Sequence, residues 1–343
     1  MTPLSLSSAS SARVQLALDT VWASSTRNKY AAGVAIFHSF CDSEHIPDAS
    51  RLPAAEHLLC AFAASRIGSI AGSTVRGYIA ALKAWHIYYD AHWYGGARLN
   101  LVLHGVENMT PTSSRRAPRP PITRDMLLLL ADQLDPLAPS DSVVLSAASV
   151  AFYGQCCLGE ILSDWEDSFR VGHTALFSHL SDPLNNNRSR KLFLPFTKVS
   201  KSRGEHVYIC RQSDRSDPVA ALEAHLLLNS PPASVPLFSF KVGSGGRWKC
   251  LTKRRLLLRC NAIWTAHGYS SSSGHAFRIG GTTELLLAGV PPDVVKTMGR
   301  WSSDAFLRYW RSLDILAPLH AERLPSAHAA RRAHSPSICL PRA

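Results

Sequence analysis

Through the first hundred positions apolar residues recur at helical spacing. In "STVRGYIAALKAWHIYY", residues 73–89, Val75, Tyr78, Ile79, Leu82 and Trp85 share one stripe, and Ser73 or Thr74 can cap the start. In "STRNKYAAGVAIFHSFC", 25–41, Tyr30, Val34, Phe37 and Phe40 fall in line. The pattern predicts a small all-α domain over 12–108. It breaks at "MTPTSSRRAPRPPIT", 109–123, where four prolines, two serines and three arginines leave no room for a regular element. A basic linker is expected over 109–121, with a second domain over 122–325.

The second half alternates patterns. Thr123 can cap "RDMLLLLADQL", and the largely apolar run 140–162 predicts one helix central in a core. "RKLFLPFTKVSKSRGEHVYIC", 190–210, predicts two strands around a basic turn. Helices are expected around 217–229, 252–266, 275–289, 292–298 and 303–311, with Gly289 and Gly299 as stops and Pro292 as a start. Residues 326–343 have little core-forming content and read as a mobile tail. The fold class is therefore a helical N-terminal domain followed by a mixed α+β, mainly helical domain with a small β-hairpin.

Composition adds a partner. The chain has 343 residues, and 46% hydrophobic content excludes wholesale disorder. A formal charge of +12 favours a polyanion, above all nucleic acid. Two stretches, 188–203 and 241–259, carry several Lys and Arg and no acid. Candidate contacts to double-stranded DNA are Arg76 and Lys83 on one helix face, Arg115 and Arg116 in the linker, Lys201 and Arg203 in the hairpin turn, and Lys253, Arg254 and Arg255. The eight cysteines form no C-x-x-C pair and most lie in apolar runs, which predicts reduced thiols rather than disulfides or a zinc site. No uncharged apolar stretch reaches the ~18 residues of a membrane span. The N-terminus lacks the pattern of a secretory signal.

One stretch raises a chemical question. In "GHAFRIGGTTELLLAGV", 274–290, His275 and Arg278 stand three apart at the mouth of a helix, on one face, so both can reach a single ligand. Gly280 and Gly281 follow and allow another backbone to approach. Further on, "MGRWSSDAFLRYWR" carries Trp301 and, eight residues later, Tyr309. This block, with its H-x-x-R pair, double glycine, G-R-W and R-Y, resembles the C-terminal block of the tyrosine recombinases (phage-integrase-like DNA breaking-rejoining enzymes). It is most similar to the versions carried by eukaryotic mobile elements. The resemblance spans roughly residues 12–320. A helix–turn–helix is also readable in 282–299, but its second helix is short and Val294, Val295 and Met298 are expected to face inward.

The resemblance implies a SAM-like helical core-binding domain and a catalytic domain closing as a C-shaped clamp on DNA. It further implies assembly as a tetramer on two sites and work in the nucleus. By the same resemblance, Tyr309 is the nucleophile that forms a 3′-phosphotyrosine, and His275, Arg278 and Trp301 are donors to the phosphate. Lys198, or failing it Lys201, is the hairpin lysine that protonates the leaving oxygen, and Glu160 supports the site. The implied chemistry keeps the bond energy in the covalent link and uses fixed donors, with no cofactor and no metal.

Three departures qualify it. The family places an arginine three residues before Glu160, and here the residue is Cys157. A thiol cannot make the bidentate contact, so catalysis is expected to be severely impaired, the alternative being a fully active recombinase. Arg170, the next arginine along, lies outside the motif. The Trp301–Tyr309 spacing is eight where many members have nine, and the long stretch before Lys198 implies an insertion around "SDPLNNNRSR".

Overall fold

The computed structural model describes residues 6–115, 120–243, 246–301, 303, 306, 307 and 318. The chain divides into two compact units, Met1–Pro118 and Arg119–Ala343. Tyr309, Arg116 and most of the expected helix 303–311 lie outside the described residues.

The first unit is helical: α1 (Ser8–Thr20), α2 (Ser24–Ser43), α3 (Glu56–Ala64), α4 (Gly72–Tyr88) and α5 (Ala97–Asn108). Helix α2 packs on α4 and α3 on α5. The stripes read from sequence supply part of the core, with Phe37, Val75 and Leu82 wholly buried beside Leu59 and Phe62 of α3. Neither Ser73 nor Thr74 caps α4, because the helix begins earlier. Its first N–H, at Gly72, donates instead to the hydroxyl of Thr110 at 3.0 Å.

The second unit contains α6 (Arg124–Gln133), α7 (Pro139–Tyr153), α8 (Leu158–Ile161), β1 (Arg190–Leu194), β2 (Glu205–Ile209), α9 (Pro218–Asn229), β3 (Ser239–Val242), β4 (Arg247–Cys250), α10 (Lys253–Ala266), α11 (His275–Leu287) and α12 (Pro292–Met298). Thr123 caps α6 through its hydroxyl, and Thr252 caps α10 the same way. Helix α7 is buried on nearly every side, beneath α6, α9, α10, α11 and β3. Strands β1 and β2 pair antiparallel from Arg190↔Ile209 to Leu194↔Glu205, and β3 and β4 form a second hairpin.

The single helix expected over 140–162 is two. Gly154 closes α7 and Gln155 adopts φ 50°. The Gln155 N–H donates to Phe152 O at 3.0 Å and the Cys156 N–H to Ala151 O at 2.8 Å, the paired bonds of a Schellman stop. The chain then turns, and α8 starts at Leu158. Helix α12 also departs from expectation: Val295 is buried, but Val294 is 41% exposed.

The seven described cysteines are all free, five of them buried and Cys157 and Cys210 partly exposed. Among the described residues no helix is long and apolar enough to cross a membrane, and no cluster of His, Cys, Asp and Glu could hold a metal ion.

Candidate phosphate site

Three chain segments meet where α7 stops, α11 begins and α12 stops. Helix α11 can lie close because it has no Cβ where it crosses the end of α7. A methyl on Gly281 would collide with the Phe152 carbonyl, and one on Gly280 with the Ile122 carbonyl. This is the backbone approach that the glycine pair predicts. Gln155 ties the junction together. Its side chain donates to Val295 O at 3.3 Å and accepts from the Thr282 hydroxyl at 2.9 Å.

Arg278 projects from α11 into this junction with its side chain 10% exposed. It donates to Gly299 O at 2.5 Å and faces the Cys157 sulfur at 3.5 Å. Its guanidinium carbon lies 4.5 Å from the centroid of the Trp301 ring. His275 sits one turn earlier, half-buried, at the first position of α11. Glu160 lies 3.7 Å from Arg278 and accepts from the Cys157 N–H at 3.0 Å, within a capping box that opens α8. Position 157 is thus beside Arg278. Neighbouring Cys156 is buried, which pushes its thiol up to about 12.

The structure therefore brings together Arg278, Cys157, Glu160 and Trp301, with His275 adjacent. Lys198 and Lys201 are exposed on the connection between β1 and β2, where Thr197 and Lys201 pair across a tight turn. At the loop end of that hairpin Glu205 lies 3.6 Å from Arg300. Lys253 comes closer than sequence spacing suggested: a methyl on Gly274 would meet its Cε at 2.9 Å, immediately before His275.

Two of the predicted DNA contacts also make ion pairs within the chain. Arg76 makes a bidentate ion pair with Glu107. Arg255 pairs with Glu166 at 3.3 Å and covers the Phe240 ring. Arg247, Lys249 and Arg259 likewise meet Asp167, Glu166 and Asp141. Lys83, Arg115, Lys201, Arg203, Lys253 and Arg254 are exposed.

One residue of the cluster was missed. Arg300 donates to Glu160 at 2.7 Å with its side chain 7% exposed. It stands inside the quoted "MGRW" but has no role in the motif as read, and nothing in its spacing announces that it folds back to Glu160.

No protein-family model matches the sequence, and no curated protein matches it. Solved structures do. The XerH site-specific recombinase bound to palindromic difH substrate, in a post-cleavage complex, is 15% identical over 87% of this chain and 79% of that one, with a TM-score of 0.57. Its pre-cleavage complex is 15% identical over 88% and 78%, with a TM-score of 0.55. A lambda integrase dimer bound to a COC′ core site is 13% identical over 88% and 93%, with a TM-score of 0.53. At such identities the likeness is one of fold: a mostly helical chain with small antiparallel sheets, folded as the tyrosine recombinases are.

Proposed function

We propose that this chain is a DNA-binding protein of the tyrosine-recombinase class. In this reading it exchanges strands by phosphotyrosine transesterification, at a rate lowered by Cys157. The observation that carries the reading is the convergence of Arg278, Trp301, Glu160 and Cys157 beside His275. Three separate stretches of sequence supply them. A packing accident has no reason to gather a motif's residues from three segments. The recombinase fold of the similar structures, solved on DNA, supports the same reading.

In this reading the Tyr309 hydroxyl attacks a DNA phosphorus and the 5′-oxygen leaves, protonated by Lys198 or Lys201. Arg278 and His275 stabilise the charge that grows on the non-bridging oxygens, and Trp301 packs against the Arg278 guanidinium and holds its plane. The first unit and the linker grip the duplex, closing the clamp around it. Self-association on DNA, a mobile-element origin and nuclear work belong to the same proposal.

Covalent trapping tests it. The protein is mixed with fragmented genomic DNA of its source and resolved on denaturing gels beside Tyr309→Phe and Cys157→Arg. A slow adduct is expected that Tyr309→Phe abolishes and Cys157→Arg accelerates on the order of 10² to 10³, the usual worth of a transition-state donor. No adduct from any variant, Cys157→Arg included, would sink the enzymatic reading. An unmodified rate at Cys157→Arg would show that position 157 is not limiting.

A further inference from the structure

Arg300 occupies a backbone position that disfavours it. Helix α12 ends in the same stop as α7: the Arg300 N–H donates to Thr297 O at 3.0 Å and the Trp301 N–H to Lys296 O at 3.2 Å. The residue between those bonds must be left-handed, and Arg300 has φ 58°. Glycine is the usual occupant, because a Cβ there is sterically costly. Helix α11 follows that rule, with Gly289 at φ 81° in the equivalent place. In α12 the glycine falls one position early, at Gly299, where φ is −74° and the Trp301 ring and Gln155 leave no room for a Cβ. An arginine stands where the backbone favours glycine, and its side chain is engaged by Glu160.

That side chain runs into the phosphate site. Besides the 2.7 Å bond to Glu160, its Nη1 faces Gly154 O at 3.4 Å and its Nε lies 3.6 Å from Glu205. The Nε is buried and makes no hydrogen bond. Burial disfavours the charge on Arg300, but the carboxylates of Glu160 and Glu205 beside it favour that charge, and the guanidinium stays charged. Glu160 therefore lies between two guanidinium groups and is nearer to Arg300 than to Arg278, at 2.7 against 3.7 Å.

We propose that Arg300 supplies the positive charge missing at position 157, acting as a positioning residue: it takes up Glu160 and leaves the charge of Arg278 available to a phosphate. The inference rests on the phosphate-site reading above. Without Arg300, Glu160 would turn fully onto Arg278 and neutralise its guanidinium. With Arg300 present, a site that has lost one arginine keeps enough field to hold a phosphodiester, and a residual reaction becomes possible.

The test uses Cys157 as a reporter beside Arg278. Alkylation of Cys157 by iodoacetamide is followed by peptide mass spectrometry in the full chain, with inorganic phosphate as the protecting ligand. Arg300→Gly removes the charge while giving the left-handed position its favoured residue, and Arg300→Gln serves if the glycine variant does not fold. The neutral variant is expected to need at least 10-fold more phosphate for half-protection, and Arg300→Lys to stay within about threefold of the parent. Equal protection in the neutral variant overturns the inference. So does a lysine variant as weak as the glycine one, since the role would then be shape and not charge. In the second arm, Cys157→Arg with Arg300→Gly is expected to keep at least a third of the Tyr309 adduct rate of Cys157→Arg alone. Loss to background there marks Arg300 as a structural prop and also overturns the proposal. Absence of phosphate protection in the parent and every variant instead sinks the phosphate-site reading itself.

Discussion

At the scale of single residues, several guanidinium groups of this chain are held by carboxylates from distant positions. The spacing singles out His275, Arg278, Glu160, Cys157 and Trp301, and the fold places Arg278, Glu160, Cys157 and Trp301 together with His275 one turn away. Ion pairing is not legible. Arg76 sits on an exposed-looking helix face, yet its partner Glu107 lies on another helix, and no local pattern announces a contact 31 residues away. The same blindness hid Arg300. Buried histidines are another case. His225 on α9 donates to Leu237 O at 2.9 Å and accepts at Nδ1 from the Asn229 amide at 2.9 Å. The amide is fixed in that sense because its oxygen accepts from the Lys241 N–H. A proton on Nδ1 would face a donor, and burial lowers the pKa of His225 to about 4. In the unfolded chain the group titrates near the ordinary ~6.5. Between those values only the unfolded state takes up the proton. The stability His225 confers is thus complete above about pH 6.5 and declines toward pH 4, by about 3 kcal/mol in all. Urea unfolding at pH 7 and pH 4.5 should show that loss in the parent and a shallower one in His225→Gln; equal slopes would refute the assignment.

At the scale of elements, periodicity located most helices and both strands of the β1–β2 hairpin, since alternation and 3.6-residue stripes are local properties. It failed at the end of α7. The run 140–162 turns apolar again straight after its break, and the stop is made by a left-handed Gln155 beside a glycine that is not itself left-handed. The packing of α11 on α7 was legible through Gly280 and Gly281, because only an absent Cβ admits a carbonyl at that distance. Gly281→Ala must push the Phe152 carbonyl away, and we expect a loss of roughly 1–3 kcal/mol. Thermal unfolding measures it. Gly159→Ala is the control, since a methyl there meets nothing within 4 Å. Similar losses for the two variants would mean that the contact between the helices is loose.

At the scale of the whole molecule, net charge overstates the surface available to a polyanion. Arg247, Lys249, Arg255 and Arg259 come from a stretch free of acids, yet each meets an acid brought in from elsewhere in the chain. Lys198, Lys201 and Arg203 remain exposed. Replacing these three by Ala should flatten the salt dependence of binding to a duplex of random sequence by up to about 0.9 in log–log slope per lost phosphate contact. Arg76→Ala should leave that slope unchanged. Fluorescence anisotropy at several salt concentrations separates the two, and an effect of Arg76 equal to that of the hairpin would reverse the assignment. The stops of α7 and α12 bear on how the chain can drift. Connecting segments usually accept substitutions freely. At Gln155 and Arg300 the backbone asks for glycine while the surroundings use the side chain, so almost any replacement forfeits one or the other. A saturation library should therefore find two of the least replaceable positions in this unit just outside its helices, where a tolerance map drawn from secondary structure alone would mark them as free to vary.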